Sequence, residues 1–423
     1  MYWLTLGAAT AGPGDDFTDA DRELKDGRYR QAIFLYQRGI KKGYAKGKKR
    51  KAYEKKIAKL KKKMLERTFG PSNENDAFLD IAKLKTGGVV VVGVQERQIW
   101  LLGTDAKLEV LWEKKLGRGE VRGVDLTPHG LVVCAGKKRV KRDDVLWVAA
   151  FQQETGDLVW EKDLDATVGN AVASADDGSV YVTGFRKKDV FVAKLSSDGE
   201  PLWEKIFGGS KKDEGRDIVV LQDGGCAVAG STSSYADSWT DGYLLRLDSE
   251  GNRLWDKTYG GEKQDEFYSL AVRSDGGFVL AGDTILSRGK ATGSHGEGGR
   301  DVWVVSVDES GNEIWGKNYG MLYKSWSKYS RSDSARSVEI TEAGDIWLTG
   351  ESGKHVLCMR VAKDGRKLWN VIFDSGYPEI GTAILPWTKQ TALVCGRSGN
   401  AGVDREDGLL FKVTNGGKVI APK

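Results

Sequence analysis

RDIVVLQDGGCAVAGSTSSYADSWTDGYLLRLDSEGNRLWDKTYGG, residues 216–261, decides the fold. It holds three alternating apolar runs and a fourth run bearing Trp255, separated by glycine and aspartate turns. Alternation of period two bounded by such turns is the signature of half-buried antiparallel strands.

The first half of the stretch returns as YSLAVRSDGGFVLAGDT (268–284), NAVASADDGSVYVTGF (170–185) and RSVEITEAGDIWLTGES (336–352). The second half returns as LSSDGEPLWEK (195–205), VDESGNEIWGK (307–317) and VAKDGRKLWN (361–370). One unit of this kind is a four-stranded sheet that cannot bury both faces alone, so several in a row form a radial array. Its outer-strand tryptophans are Trp112, Trp160, Trp203, Trp255, Trp315 and Trp369, and Ile420 stands at a seventh equivalent position. The predicted fold is therefore all-β: a seven-bladed β-propeller of four-stranded antiparallel blades over residues 67–423. A short α-helical segment over 15–66 precedes it, after residues 1–14. The chain offers eight outer-strand candidates, so either Leu65–Gly70 or Lys418–Ala421 completes the last blade. A bare sheet edge there would invite pairing with another chain.

The charge is divided unevenly. Residues 41–67 carry fourteen Lys and Arg against Glu54 and Glu66, a balance of +12, while the other 396 residues sum to −7. Within this segment Tyr53, Ile57, Leu60 and Met64 recur at helical spacing, and lysine covers the remaining faces. Like charges four residues apart weaken an isolated helix. The basic residues Lys48, Lys49, Arg50, Lys51, Lys55, Lys56, Lys59, Lys62 and Lys63 are therefore expected to dock on an acidic protein, a polyanion or an anionic surface. Residues 17–40 read as two helices around Asp26-Gly27. The spacing Gly27, Tyr29, Ala32, Ile33, Tyr36 resembles the centre of a tetratricopeptide repeat, with Gly39 where that family usually has alanine. One such repeat is too few for a solenoid, so the hairpin is expected to lean on something else.

Cys134, Cys226, Cys358 and Cys395 fall in different repeats, without metal-ligand spacing, and read as buried free thiols. No apolar run approaches the roughly 20 residues that span a bilayer. Tyr2–Ala8 is a short apolar run and Ala9-Thr10-Ala11 fits the small-residue rule for signal cleavage, although a basic leader is missing. Export to the periplasm or cell surface is expected ahead of a cytoplasmic location.

Repeated residues are framework. One tryptophan per unit fills the wedge between sheets. Asp144, Asp189, Asp241, Asp301 and Asp407 start third strands, and Asp76, Asp213, Asp265 and Asp333 lead into innermost strands. They are expected to tie down their own turns rather than to ring a channel mouth as a cation site. Departures from the repeat point to function instead. The expanded turn Ser231–Thr240 offers Tyr235 and Trp239, and the glycine-rich counterpart Leu286–Arg300 is longer. The loop GMLYKSWSKYSRSD (320–333) interleaves Tyr323, Trp326 and Tyr329 with Lys324, Lys328 and Arg331. These aromatics and bases are the expected partner-binding residues. The basic turn Gly136–Asp144 reads as a solvated hairpin tip.

Residues 75–423 resemble bacterial β-propeller repeat proteins with DGG-x-x-x-x-G and DxxGxxLWxK signatures. ETGDLVWEK (154–162) is similar to the repeat of pyrroloquinoline-quinone-like propellers. That family includes quinoprotein dehydrogenases and non-catalytic assembly factors of the outer membrane. The adjacent-cysteine disulfide of the enzymes has no counterpart here, so the resemblance implies the fold and not the cofactor. His129, His295 and His355 lack ligand-spaced partners, and there is no GxSxG or Walker motif. No catalytic, cofactor or metal residue is assigned. The expected function is a non-catalytic protein-interaction scaffold, a component of a larger assembly. The alternative is a propeller lyase or hydrolase acting on a carbohydrate at the channel mouth over blades four to six. Sequence-specific nucleic-acid readout is not expected, since the body of the chain is acidic.

Overall fold

A computed structural model describes residues 15–25, 35–36, 38–63, 66–69, 76–236, 239–285, 299–320, 332–373, 378–399 and 406–420. It opens with α1 (Asp15–Lys25), further helical residues at 35–36 and 38–41, and α2 (Gly47–Lys63). These pack through Phe17, Ala20, Leu35, Tyr36, Ala45 and Ile57, with Tyr53 stacked on Phe17 at 4.1 Å. A Cβ on Gly39 would lie 2.7 Å from the Phe17 ring, which accounts for glycine at this position. Residues 26–34, with the Asp26-Gly27 turn, and Met64 lie outside the described residues, as does the side chain of Leu60.

The rest is β-structure. Strand β1 (Glu66–Phe69) stands apart from a seven-stranded antiparallel sheet that runs in chain order. Its members are β2 (Ala77–Lys83), β3 (Val89–Gln95), β4 (Gln98–Thr104), β5 (Val110–Leu126), β6 (Leu131–Val140), β7 (Asp143–Gln152) and β8 (Leu158–Leu164). Four-stranded antiparallel sheets follow. The first holds β9 (Val168–Ser174), β10 (Val180–Arg186), β11 (Asp189–Leu195) and β12 (Pro201–Phe207). The second holds β13 (Asp213–Val220), β14 (Cys226–Thr232), β15 (Asp241–Leu247) and β16 (Arg253–Tyr259). The third is β17 (Asp265–Val272), β18 (Phe278–Thr284), β19 (Asp301–Val307) and β20 (Glu313–Tyr319). The fourth is β21 (Asp333–Ile340), β22 (Ile346–Ser352), β23 (His355–Val361) and β24 (Lys367–Phe373). The last sheet joins β25 (Glu379–Thr388), β26 (Thr391–Gly399), β27 (Glu406–Thr414) and β28 (Val419–Ile420) to β1.

Hydrogen bonding thus groups the strands into six sheets of four to seven strands, not seven sheets of four. The difference lies in β5. Its residues up to Arg118 pair with β4, and from Gly119 onward it pairs with β6, so one unbroken strand serves two strand sets. Where other units insert a loop such as Gly208–Lys212, this chain passes straight from an outer position to an inner one.

The last sheet resolves the two candidates for its outer strand by using both. β1 pairs with Gly408–Phe411 of β27, and β28 pairs with the next residues, Lys412 and Val413. The outer edge is composite, built from two chain segments about 350 residues apart.

Packing between neighbouring sheets is apolar. Ala171, Tyr181 and Val190 meet Ile218, Cys226 and Tyr243, and the last sheet meets the first where Leu393 and Leu410 pack on Phe78, Val91 and Trp100. All four cysteines are free and buried. The outer-strand tryptophans fill a specific wedge: Trp112, Trp160, Trp203, Trp315 and Trp369 each donate an indole N–H to a carbonyl in the following unit's last turn. A left-handed glycine of that turn faces each ring, as Gly251 faces Trp203. The rings are mostly half-exposed rather than fully buried.

The wedge contact can be isolated with two alanines. Gly224 (φ +79°) and Gly251 (φ +78°) share the left-handed conformation, but a Cβ at 224 has 3.6 Å of clearance and one at 251 lies 2.9 Å from the Trp203 ring. Gly224→Ala is expected to cost about 1–2 kcal/mol in urea unfolding, the backbone term alone. Gly251→Ala is expected to cost more, by about 1–3 kcal/mol of added strain. Equal losses would contradict the ring contact.

Candidate functional site at the channel mouth

Every innermost strand carries an irregularity at the same place, and β25 has a second one at Trp387. In β2 the pairing slips between Phe78 and Asp80, in β5 between Val121 and Gly123, and in β13 between Gly215 and Asp217. Strands β17, β21 and β25 slip at Tyr268, Arg336 and Thr382, and β9 at Asn170. A bulge of one extra residue turns that side chain out of the ladder and re-aims it. The extra residues are Leu79, Arg122, Asn170, Arg216, Tyr268, Arg336 and Thr382, and all line one central cavity of about 830 Å³.

This layer is charged and ordered. Arg122 pairs with Glu120 at 2.6 Å and donates to the Asn170 side chain at 2.9 Å. Arg216 contacts Glu214 at 2.6 Å and Glu266 at 3.3 Å, and Arg336 contacts Glu351 at 2.7 Å. Both of the latter guanidiniums lie over the Tyr268 ring, 5.1 and 4.2 Å from its centroid. The Tyr268 hydroxyl donates to Glu266 at 3.0 Å. Burial alone would raise the Glu266 carboxyl, but Arg216, Gln264 and Tyr268 together hold it below its ordinary value. Burial raises the Tyr268 hydroxyl, with Asp283 adding to the shift.

Deeper in the cavity stand carboxylates from four strands. Asp80 accepts backbone N–H groups of Ile81 and Val124, Asp217 those of Ile218 and Leu270, and Asp125 those of Leu126 and Ser174, all at 2.8–2.9 Å. Burial raises Asp80 to about 7 despite these bonds. Glu339 is pushed up to about 8 by burial first and then by Asp217, Asp80 and Asp125.

Sequence-expected residues meet different fates. Asp213 accepts the Gly209 N–H at 2.9 Å, the Ser234 hydroxyl at 2.6 Å and the Thr232 hydroxyl, and Asp265 accepts from Gly261 at 2.8 Å and from Thr284. These carboxylates do tie down turns. They also crowd a neighbour: a Cβ on Gly208 would lie 2.7 Å from both Asp189 and Asp213. Burial and the nearby Asp333 raise Asp301 to about 6. In the expanded turn, Tyr235 is anchored through its hydroxyl to the Gly208 carbonyl at 2.9 Å, so it braces the turn. Trp239 is 71% exposed at the same end of the sheet. Tyr323, Lys324, Trp326, Lys328, Tyr329 and Arg331 lie outside the described residues, as do 286–298.

On the helical segment, Lys48, Lys49, Lys51 and Lys55 are exposed. Two expected docking residues are engaged internally: Lys56 pairs with Asp21 at 2.6 Å, over the Tyr36 ring, and Arg50 pairs with Glu54 at 2.8 Å. Lys59, Lys62 and Lys63 belong to α2, and their side chains lie outside the described residues. At the Gly136–Asp144 tip, Arg139 and Lys137 contact Asp144 at 2.8 and 3.4 Å. Residues 1–14 lie outside the described set, and no helix within it is long and apolar enough to cross a membrane.

The bulge layer is not picked out by pattern alone, although Arg216 and Arg336 open two of the repeat copies quoted above and Arg122 opens RGVDL. A polar first residue before an apolar run reads as a strand end. That it points into a cavity depends on the bulge.

Comparisons with known proteins agree with this architecture. The family model described as outer membrane protein assembly factor BamB matches residues 144–320. Regulatory protein FlaEY of Caulobacter vibrioides is 25% identical over 247 residues, 55% of this chain, and the chain spans about a quarter of that protein's length. Among solved structures, the WD40 β-propeller domain of Doa1 superposes with a TM-score of 0.52 at 16% identity, covering 81% of this chain and 95% of that one. U3-55K gives 0.55 at 9% identity, covering 82% and 97%, and the WD40 repeats of RRP9 give 0.55 at 9%, covering 82% and 96%.

Glu339 makes the channel's electrostatics measurable. A carboxyl raised in the fold holds its proton from about pH 4.5, where the unfolded chain releases it, up to about pH 8. The stability it contributes is complete below that window and lost as pH rises through it. The advantage of Glu339→Gln over the wild type should therefore be smallest near pH 4.5 and grow through pH 8. The expected growth is about 1–3 kcal/mol after solvent screening. Urea unfolding at both ends of the window checks this, and a pH-independent difference would contradict it.

Proposed function

We propose that this chain, a β-propeller repeat protein with pyrroloquinoline-quinone-like repeats, is a non-catalytic interaction scaffold with seven blades. The blade count is supported by the seven bulged innermost strands and by the change of partner at Arg118 and Gly119 of β5, which divides the seven-stranded sheet in two. Residues 15–66 form the docking element, tetratricopeptide-like in its hairpin, residues 67–423 the disc, and residues 1–14 a terminus or signal remnant.

One observation carries the reading: the bulge side chains that break the repeat line one cavity, while the aspartates beside them are committed to the backbone. Asp80, Asp125 and Asp217 each accept two main-chain N–H bonds, a framework task rather than acid–base chemistry. The channel-mouth end, where Trp239 is exposed, takes a protein partner, and Tyr323, Lys324, Trp326, Lys328, Tyr329 and Arg331, interleaved in sequence, contribute to the same contact. Aromatic and arginine side chains dominate binding energy at such surfaces.

The second contact is α2. Lys48, Lys49, Lys51 and Lys55 present an exposed basic face that is not neutralised within the helix, and it docks on an acidic protein surface. The likeness to an outer membrane assembly factor and the short apolar run at Tyr2–Ala8 favour the periplasm or cell surface as the site of action.

Replacing Lys48, Lys49, Lys51 and Lys55 together by glutamine tests the docking role. Association of the full chain with its assembly, followed by pull-down and mass spectrometry, should weaken at least about tenfold and lose its salt sensitivity. Unchanged association at every salt concentration would reject it. Retention on anionic vesicles alone would move the partner from protein to lipid.

A further inference from the structure

The bulge layer has a direction of charge. Arg122, Arg216 and Arg336 have side chains 30–37% exposed, whereas their counterions Glu120, Glu214, Glu266 and Glu351 are only 10–20% exposed. The carboxylates stand behind the guanidiniums, so guanidinium is what the cavity presents. Arg397 lines the same cavity. Arg216 also holds a buried Nε donor with no hydrogen-bond partner among the described residues.

We propose that the channel mouth is a carboxylate receptor: an acidic side chain or the C-terminus of a partner polypeptide seats between Arg216 and Arg336, beside Tyr268 and Asn170. This rests on the protein-interaction reading above and names the chemistry of one of its contacts. A planar guanidinium matches a carboxylate through two parallel N–H bonds. Here the two guanidiniums are already fixed, each by a glutamate behind and by the Tyr268 ring beneath, so little ordering remains to be done on binding. The cavity, about 830 Å³, lies within the range of sites that enclose small groups.

The deeper layer limits what enters. Asp80, Asp125, Asp217 and Glu339 crowd four carboxyl groups on the floor, where burial keeps Glu339 protonated up to about pH 8 and leaves no cation among the described residues to receive a second anion, and the chain outside residues 41–67 is net negative. A long polyanion such as nucleic acid meets repulsion there. A single carboxylate stops at the arginine layer, with Trp239 exposed at the same end to receive an apolar neighbour.

Isothermal titration of the full chain with a tetraglutamate peptide at low ionic strength tests the assignment. Binding should weaken at least about tenfold in the double variant Arg216→Gln, Arg336→Gln, the loss of charge-assisted bonds. It should stay within about twofold when Lys48, Lys49, Lys51 and Lys55 become glutamine. Arg216→Lys, which keeps the charge and removes the planar fork, serves if the double variant does not fold, and should still weaken binding. No heat with the peptide, or binding indifferent to the arginines, overturns the receptor. Inorganic phosphate displacing the peptide at equal concentration overturns its carboxylate selectivity. If the arginine variants change nothing while assembly still depends on the lysines, this inference falls and the scaffold reading stands; if neither set matters, both fall.

Discussion

A bulge at the same place in every innermost strand is the constraint on which the structure depends. The extra residue faces the channel, and a residue at it or one to three positions beyond it reaches the next unit. Asp80 accepts the Val124 N–H at 2.8 Å, Asp125 that of Ser174 at 2.8 Å and Asp217 that of Leu270 at 2.9 Å. Ser269 and Ser337 do the same for Val338 and Ile384 at 3.2 Å, and Asn170 donates to the Gly215 carbonyl at 2.7 Å. Thr382 then donates to the Phe78 carbonyl at 2.9 Å, which brings the circuit back to its first strand. Each bond is worth about 0.5–1.5 kcal/mol. Their value is geometric as much as energetic, because a circuit without a gap fixes every inner strand relative to all the others.

The same irregularity explains why framework and site coincide in sequence. A repeat conserves its shape only where each copy does the same work, and the outer-strand tryptophans and turn glycines do so around the ring. At the bulge the shape repeats and the side chain does not: leucine, arginine, asparagine, arginine, tyrosine, arginine and threonine occupy one structural position. A binding surface built there draws on several units at once and can be altered without disturbing the sheets.

Much of the fold was legible because its determinants are local. Alternation, DGG turns and tryptophan spacing locate the strands, and apolar runs around the cysteines foretell their burial. The continuity of β5 was not legible, since Gly117 and Gly119 interrupt the apolar alternation and the stretch is strand only because its two ends pair with different neighbours. The composite last edge escaped for a similar reason: Glu66–Phe69 and Val419–Ile420 are each plausible outer strands, and only the register on β27 shows that they share it. Of the candidate site, the Ser231–Thr240 expansion was visible, but the division of labour within it was not. Tyr235 braces the turn through a carbonyl at Gly208, 27 residues away, while Trp239 is left exposed. Lys56 and Arg50 likewise look like their neighbours until Asp21 and Glu54 are placed beside them.

The ring closes through its first and last inner strands, and the arginine layer, which spans residues from Arg122 to Arg397, depends on that closure. Native-state hydrogen exchange of the intact chain tests this directly. Amides of β2 and β25 should be protected to the same free energy as those of β13, because a closed circuit opens as one unit. Exchange of β25–β28 as a separate unit, orders of magnitude faster than β13, would contradict closure and with it the site.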